Sequence, residues 1–128
     1  MKKLAMAVVT RKGKVLIQKR LRAVKEMVFE FPGGTVDPGE EAVAAARREL
    51  EEETGLIDLP FIAKQTFISD YGCDIDFVIF SAPDGLEPKV INPLRKQTFY
   101  WFKPREIPKQ DFLKADLAFI DLHLAHYL

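Results

Sequence analysis

Apolar residues at the start of the chain fall into short runs that predict β-strands. Leu4–Thr10 and Val15–Arg20 are rich in valine and isoleucine, and they flank a turn at Lys12-Gly13. The opening MKKLAMAVV is basic and then apolar, like a signal peptide, but its apolar run covers only about seven residues and no clear cleavage site follows. We therefore expect these residues to form the first strand of a hairpin.

Turn residues divide the middle of the chain. In order, the pattern predicts a polar connection at residues 21–28, a short strand at Phe29–Phe31, a break at Pro32-Gly33-Gly34 and a turn at Asp37-Pro38-Gly39. A helix is then predicted from about Glu40 until Gly55, since glycine is typical of the position just past a helix end.

The second half of the chain alternates again before a final amphipathic segment. We expect a hairpin of Phe61–Asp70 and Ile75–Ala82 around Tyr71-Gly72, a loop at Pro83–Pro93, a strand at Thr98–Lys103 and a helix at Ala115–Tyr127. The helix is indicated by apolar spacings of three, four and three at Leu117, Ile120, Leu124 and Tyr127. Strands interleaved with two helices predict one α/β domain over residues 1–128, with a mixed sheet covered on both faces.

Composition narrows the function classes. Lysine plus arginine and aspartate plus glutamate both number 19, so the chain lacks the basic footprint of a nucleic-acid-binding protein. No apolar run approaches the roughly 20 residues that cross a bilayer, so no membrane partner is expected. A single cysteine, Cys73, excludes an internal disulfide and favours a reducing, cytoplasmic location.

Charge is distributed unevenly along the chain. Residues 11–25 are basic and contain no acid, whereas residues 40–53 carry six glutamates against two arginines. The two segments could be simple salt-bridge partners. The alternative is that they bind a phosphate chain and its metal counter-ions.

Helical spacing brings three carboxylates together. Val43, Ala46 and Leu50 share the core stripe of the predicted helix, while Glu49, Glu52 and Glu53 follow at i, i+3 and i+4 on an adjacent face. Like charges at these spacings cost some tenths of a kcal/mol per pair. Arg48 can pair with Glu52, and the remaining negative charge suits hard divalent cations, Mg²⁺ or Mn²⁺. A merely solvated Glu-rich face is the alternative.

The glycine pair before the helix adds context to these carboxylates. Glycine at Gly33-Gly34 permits a positive φ and close approach of a ligand, and a carbonyl from this turn would be a further oxygen ligand. Ala42 and Ala45 lie on the same helix face as the carboxylates, and their small side chains leave room for another segment to pack over the helix.

Together these residues resemble the motif of a known family. Gly34, five residues, Glu40, seven residues and then Arg48-Glu49-Leu50-Glu51-Glu52-Glu53-Thr54-Gly55-Leu56 match the Nudix box, GX5EX7REUXEEXGU with U aliphatic, at every specified position. The chain resembles the MutT-like branch over nearly its full length, through the segments MKKLAMAVV, VLIQKR, FEFPGG, YWFKPREI and LKAD. The resemblance implies the Nudix fold, a mixed curved β-sheet sandwiched between helices (α/β/α).

The resemblance also implies roles for the box residues. Glu49, Glu52, Glu53 and the Gly34 carbonyl would bind catalytic Mg²⁺, with Mn²⁺ as a substitute, and Glu40 would contribute through bound water or by supporting the loop. Arg48 would orient a metal-binding glutamate. The implied reaction is attack of water on phosphorus in a diphosphate linkage. Glu49 and Glu53 are both candidates for the general base.

Substrate contacts are expected at three positions outside the box. Arg20 matches a nucleotide-contacting position of MutT-like enzymes, or else is a solvated arginine at a strand end. Asp116 lies where those enzymes carry a base-reading Asn or Asp, or else caps the last helix. Phe29 and Phe31 flank the glycine turn; Phe31 is our candidate for lining a base pocket, and core packing is expected for at least one of the two. Trp101 is expected in the core.

The chain departs from the MutT-like pattern in three ways. Thr35 stands where a lysine is frequent, and Arg95 falls roughly where a further metal-binding glutamate is found; Gln97 or Glu87 could substitute for it. Asp116 replaces the asparagine that accompanies a preference for oxidised guanine, which argues against strict 8-oxo-dGTP specificity.

Three classes of function remain open on the sequence. The first is hydrolysis of a nucleoside triphosphate or related nucleoside diphosphate derivative, including house-cleaning of modified nucleotides, with dinucleoside polyphosphate or ADP-ribose cleavage as its variant. The second is a non-catalytic nucleotide-binding regulatory domain, and the third is a structural domain with a solvated acidic helix. The expected partner is a nucleotide-type small molecule and no nucleic-acid polymer. The oligomeric state, monomer or homodimer, is open.

Overall fold

The computed structural model describes residues 2–23, 26–68 and 72–128. Over these residues the chain forms seven strands and two α-helices. They are β1 (Lys3–Arg11), β2 (Lys14–Ala23), β3 (Glu26–Glu30), β4 (Gly33–Thr35), α1 (Ala42–Thr54), β5 (Phe61–Ile68), β6 (Asp74–Ser81), β7 (Thr98–Phe102) and α2 (Lys114–Leu122). Short 3₁₀ turns occupy Pro93–Arg95, Pro104–Glu106, Lys109–Asp111 and Leu124–Tyr127. Among the helices of these ranges, none has the length and apolar character that crossing a membrane requires.

The sheet is mixed, as predicted. β1 pairs with β6 in parallel and with β4 in antiparallel fashion, and β5 continues the sheet beyond β6. β2 joins β1 only near their shared turn, through Thr10↔Val15 and Arg11↔Lys14, and then runs between β3 and β7. The strand that carries Gly33 and Gly34 is therefore fixed directly to β1 at the centre of the sheet.

Two apolar clusters cover the two faces of the sheet. On one face, β1 and α1 pack together through small residues such as Ala7, Ala45 and Ala46, which are fully buried. On the other face, Phe77 of β6 stacks on Phe119 of α2 with ring centroids 4.5 Å apart. The expectation of an α/β domain with helices on both faces of the sheet is thus confirmed.

Strand β3 corrects one prediction. Residues 21–28 were expected to be a polar connection, but β2 extends to Ala23 and β3 begins at Glu26, with Leu21↔Met27 and Arg20↔Val28 in register. The reason is that paired strands satisfy their backbone groups even where the side chains are polar. The turn predicted at Tyr71-Gly72 and the end of its first strand at Asp70 involve residues outside the described ranges.

Both helices are shorter than predicted. α1 begins at Ala42 rather than Glu40, and it ends as expected at Gly55, whose φ of 76° is the left-handed conformation that glycine favours. α2 ends at Leu122, because His123 leaves the helical region with φ −128° and ψ −29°. The chain then continues as a 3₁₀ turn that keeps Leu124 buried, so the apolar spacing persists after the α-helix has stopped.

Candidate active site

The face of α1 that packs on the sheet continues into the acidic cluster. Ala42, Ala45 and Leu50 are buried against the sheet, and Glu53 on the same side is only 3% exposed. The small side chains of Ala42 and Ala45 therefore allow the sheet to pack closely against the helix, as their size predicted. Glu52 points outward, with 57% of its side chain exposed.

Gly34 lies directly beside the carboxylate of Glu49. A Cβ atom built on Gly34 would lie 2.7 Å from both the carboxylate carbon and Oε1 of Glu49, so only glycine leaves room for this side chain. Gly33 and Gly34 form β4 rather than a turn, and neither has a positive φ. Neither glycine uses the positive φ that it permits, and the close contact at Gly34 is with Glu49, so close approach of a ligand stays a prediction.

Glu53 is held by three donors. Gly33 N–H donates to its Oε2 at 3.0 Å, while Gln18 Nε2 at 2.7 Å and Arg95 Nη2 at 3.0 Å both donate to its Oε1. The pKa of Glu53 is raised to about 8, chiefly by burial and also by the adjacent Glu49 carboxylate, although Gln18 and Arg95 oppose the shift. Glu53 is thus a buried carboxyl that favours its protonated form near neutral pH and whose ionised form needs local compensation.

Arg48 joins the loop before α1 to the acidic cluster. Its Nε and Nη2 donate to the two carboxylate oxygens of Glu40, each at 3.0 Å, and Nη2 also donates to the carbonyl of Thr35 at 3.0 Å. Nη1 lies 3.0 Å from Glu49 but 3.5 Å from Glu52, so the expected pair with Glu52 is the weaker one. These bonds hold the pKa of Glu40 below its usual range and raise that of Arg48.

The chemistry of the predicted metal ligands fits a hard divalent cation. Glu49, Glu52, Glu53 and the Gly34 carbonyl offer only oxygen atoms, and the space at Gly34 is one that a Cβ would fill. Within the described ranges, however, no three acidic, histidine or cysteine side chains converge closely enough to enclose an ion as they stand. Glu53 in particular is engaged by Gln18 and Arg95, so one of these partners has to give way.

Of the three predicted substrate residues, Arg20 and Asp116 lie near Glu30, whereas Phe31 lies in the core. Arg20 donates through Nε to Glu30, and 24% of its side chain is exposed, so it is an ion-paired residue rather than a solvated one. Asp116 is 5% exposed in the first turn of α2, where Leu113 occupies the N-cap position, so the helix-capping alternative is wrong. The pKa of Asp116 is raised to about 7, chiefly by burial and also by the charge of Glu30. Arg20, Glu30 and Asp116 thus belong to one neighbourhood.

Phe31 belongs to the core. Its side chain is fully buried and meets Phe77 and Phe119 edge to face, with ring centroids 6.0 and 5.9 Å away. This corrects its assignment to the substrate pocket, because a ring enclosed in this way has no free face for a base. Trp101, expected in the core, is partly exposed, with Arg11 stacked 3.9 Å above its ring.

Two residues of the site were missed by sequence reasoning. Gln18 is fully buried and donates through Nε2 to both Glu53 and Glu30, at 2.7 and 3.1 Å. Glu30 accepts from Arg20 and influences Asp116. A glutamine on a strand of apolar residues, within VLIQKR, was the signal that could have identified Gln18.

The substitutes considered for the missing metal-binding glutamate have other partners. Glu87 accepts from Arg11 at 2.8 Å and from the indole of Trp101 at 2.9 Å. Gln97 donates to Gln18 and to the backbone carbonyl of Glu53. The basic segment likewise finds partners in the Pro83–Pro93 loop, through Arg11 with Glu87 and Lys12 with Asp84 at 2.7 Å.

Comparison with known proteins shows the family to which the chain belongs. The NUDIX domain family matches residues 1–122 of the chain. An RNA pyrophosphohydrolase of Bartonella bacilliformis is 34% identical over 79% of the chain and 58% of its own length. An uncharacterized Nudix hydrolase of Escherichia coli, YfcD, is 30% identical over 74% of the chain and 54% of its own length.

A solved structure of a related protein has a similar fold. The MutT Nudix hydrolase of Burkholderia pseudomallei superposes with a TM-score of 0.68 and 28% identity, covering 94% of this chain and 95% of that one. The chain spans little more than half the length of the curated relatives, but nearly the whole of this structural neighbour. The chain belongs to the Nudix family.

Proposed function

We propose that the chain hydrolyses a diphosphate linkage in a nucleoside triphosphate or a related nucleoside diphosphate derivative, with Mg²⁺ as cofactor. The observation that carries the proposal is the approach of the Glu49 carboxylate to Gly34, 2.7 Å from the position of a Cβ, beside the buried carboxyl of Glu53. This arrangement brings the acidic face of α1 against the strand to which Gly34 belongs. A solvated acidic helix face would have no need of it.

Mg²⁺ would be bound by Glu49, Glu52, Glu53 and the Gly34 carbonyl, and Mn²⁺ would replace it. When bound, the ion would neutralise phosphate charge and favour ionisation of the attacking water. Glu40 would act indirectly, since both of its oxygens are engaged by Arg48. Arg48 would then hold Glu49 through Nη1 and the preceding loop through Glu40.

The general base would be one of the two neighbouring carboxylates. The raised pKa of Glu53, about 8, supports this residue because its ionised form is a stronger base than an ordinary carboxylate. Access of water supports Glu49 instead, because 18% of its side chain is exposed whereas Glu53 is almost enclosed. Substituting each in turn, with metal binding measured separately, would distinguish base from ligand.

The base of the nucleotide would be recognised at Arg20 and Asp116. Asp116 is buried and its pKa of about 7 lets it exist in both protonation states near neutral pH. The protonated carboxyl both donates and accepts hydrogen bonds, whereas the ionised one only accepts them. This chemistry supports a choice among base edges, and it does not single out one base.

A second candidate is hydrolysis at RNA, favoured by the similarity to a relative named as an RNA pyrophosphohydrolase. The balanced charge of the chain, with 19 basic and 19 acidic residues, supports a small nucleotide instead. Dinucleoside polyphosphates and ADP-ribose remain alternative substrates with the same linkage. A non-catalytic nucleotide-binding role is less well supported, because every box carboxylate is retained.

The proposal is tested by phosphate and pyrophosphate release from a panel of compounds. The panel contains nucleoside triphosphates, modified nucleotides, ADP-ribose, a dinucleoside polyphosphate and 5′-triphosphorylated RNA, each with and without Mg²⁺. The variants are Glu52→Gln and Glu53→Gln. Glu51→Gln is the matched control, since Glu51 directly precedes them in sequence and is exposed.

We expect release that depends on Mg²⁺, is lost in the first two variants and persists in the control. Absence of activity on every diphosphate compound would overturn the enzymatic proposal. Activity that survives both Glu52→Gln and Glu53→Gln would overturn the metal assignment. Activity confined to RNA would replace the first candidate with the second.

A further inference from the structure

The partners of Glu53 differ in how firmly each is held. Gly33 donates from the backbone of β4, which is paired to β1. Gln18 is fully buried on β2, and its own carbonyl oxygen accepts from Gln97 Nε2 at 2.8 Å. Gln97 in turn donates to the backbone carbonyl of Glu53 at 3.0 Å. These donors are fixed by strands and by one another, so they cannot leave Glu53 without disturbing the sheet.

Arg95 is held much less firmly. It ends the 3₁₀ turn Pro93–Arg95 in the segment between β6 and β7, and 31% of its side chain is exposed. Its Nη2 donates to Glu53 at 3.0 Å. Its Nε is buried and has no hydrogen-bond partner in the described part of the chain. An unpaired buried donor costs free energy, so this position of the guanidinium is only partly satisfied.

The pairing of Arg95 with Glu53 can be understood from their charges. Glu53 is nearly enclosed, and its ionised form, a buried carboxylate, needs a compensating cation. Arg95 supplies that cation in the structure described here. A divalent ion would supply the same compensation more strongly, and the guanidinium next to it would then be repelled. A guanidinium also binds phosphate oxygens through two parallel N–H bonds, and a polyphosphate at this site would lie close by.

We propose that Arg95 is an exchangeable counter-ion that pairs with Glu53 in the metal-free protein and binds a substrate phosphate once a divalent cation takes up Glu53. The inference rests on the proposed function. It makes Arg95 a substrate-binding residue of this chain, at the position where MutT-like enzymes resembling it place an acidic residue. Removal of Arg95 then has two opposite effects, tighter cation binding and weaker substrate binding.

The test uses Arg95→Gln and Arg95→Lys, with Arg105→Gln as a control of equal charge change at an exposed arginine. Binding of Mn²⁺ without substrate is measured by calorimetry, and KM and kcat are measured with the best nucleotide of the panel. We expect Arg95→Gln to bind Mn²⁺ about fivefold more tightly, the size of a partly exposed ion pair. Its KM should rise by about tenfold with a smaller change in kcat.

Arg95→Lys keeps the charge without the planar fork, so its KM should rise while its Mn²⁺ affinity stays near that of the wild type. It also serves if Arg95→Gln fails to fold. If Arg95 only braced Glu53, its removal would disorder the carboxylate and weaken Mn²⁺ binding. Unchanged or weaker Mn²⁺ binding by Arg95→Gln, or an unchanged KM in both variants, overturns the inference. A wild-type protein that binds no Mn²⁺ instead overturns the proposed function.

Discussion

The carboxylate of Glu49 occupies the space that a side chain on residue 34 would need. The carboxylate carbon and Oε1 lie 2.7 Å, and Oε2 2.9 Å, from the Cβ position of Gly34. The contact joins helix α1 to strand β4, the two elements from which the proposed metal ligands come. Glycine at this position therefore leaves space for the Glu49 carboxylate, and its conformational freedom is not needed.

Gly34→Ala should abolish most of the activity while leaving the fold intact. The added methyl group meets only the end of a flexible side chain, so Glu49 can swing away at little cost in stability. The displaced carboxylate then leaves the proposed metal site. We expect at least a tenfold loss of Mn²⁺ affinity by calorimetry, and a free energy of unfolding within about 1 kcal/mol of the wild type.

Gly33→Ala is the comparison for that variant. A Cβ at Gly33 would lie 2.5 Å from the carbonyl oxygen of Ala5 and 2.8 Å from the Cα of Met6, both of which are backbone atoms. The strand pairing of β1 and β4 has to shift, at a cost of about 1–3 kcal/mol in urea denaturation. Equal destabilisation by the two substitutions would show that Gly34, too, is needed only for packing.

Arg48→Lys should reduce activity although the charge is retained. Lysine cannot donate in parallel to both oxygens of Glu40 while also reaching the Thr35 carbonyl and Glu49. We expect a loss of about tenfold or more in kcat/KM, and faster amide hydrogen exchange at Asp37 and Glu40, whose N–H groups bond within this loop. Normal exchange combined with low activity would mean that Arg48 acts on the substrate directly.

Glu53 should make the metal-free protein less stable as pH rises. Its pKa is raised from 4.5 to about 8 in the folded protein. Between these values the native state holds a proton that the unfolded state has lost, so stability falls with increasing pH across this window. Urea denaturation in EDTA at several pH values, compared with Glu53→Gln, isolates this contribution. The wild type should lose stability relative to the variant as pH increases from about 5 to 8.

The same measurement on Glu51→Gln supplies the control, since that residue is exposed and no shift of stability with pH is expected between it and the wild type. Saturating Mg²⁺ should remove most of the wild type's loss, because the cation stabilises the ionised carboxylate. A wild type that follows Glu53→Gln at every pH would mean that Glu53 is already ionised in the metal-free protein.

Asp116→Asn should change base preference without changing metal dependence. The pKa of Asp116 is raised to about 7, so its hydroxyl can donate below that pH, whereas above it the carboxylate only accepts. The ratio of kcat/KM for two nucleotides should therefore change across about pH 7 in the wild type and stay constant in the variant. A ratio that does not depend on pH in either protein would remove Asp116 from base recognition.

Most of the catalytic box was accessible from sequence because its residues lie within one helix and the loop before it. Helical spacing alone placed Glu49 and Glu53 on one side of α1. It did not reveal that Glu53 is enclosed, because its covering partners, Gln18 and Arg95, come from β2 and from the segment before β7. Those contacts depend on the order of strands in the sheet, which no local pattern encodes.

Elsewhere the errors have a common origin in tertiary packing. Phe31 was placed in a pocket from its neighbours in sequence, but the partners that enclose it, Phe77 and Phe119, are far away along the chain. The short strand β4 was interpreted as a turn because Pro-Gly-Gly usually breaks structure. Its pairing with β1 overrides that local preference.

The parallel pairing of β1 with β6 also bears on how the protein folds. Ala5 pairs with Gly34 on one side and with Asp76 on the other, and more than half of the 128-residue chain separates it from the second partner. Closing such a long loop is slow, and it exposes unpaired strand edges until it is complete. The glycine strand can join β1 early through near-neighbour contacts, but the sheet that supports it is finished only when β6 arrives. We therefore expect assembly of the candidate site to be a late event in folding, because β1, which carries β4, also has to pair with β6.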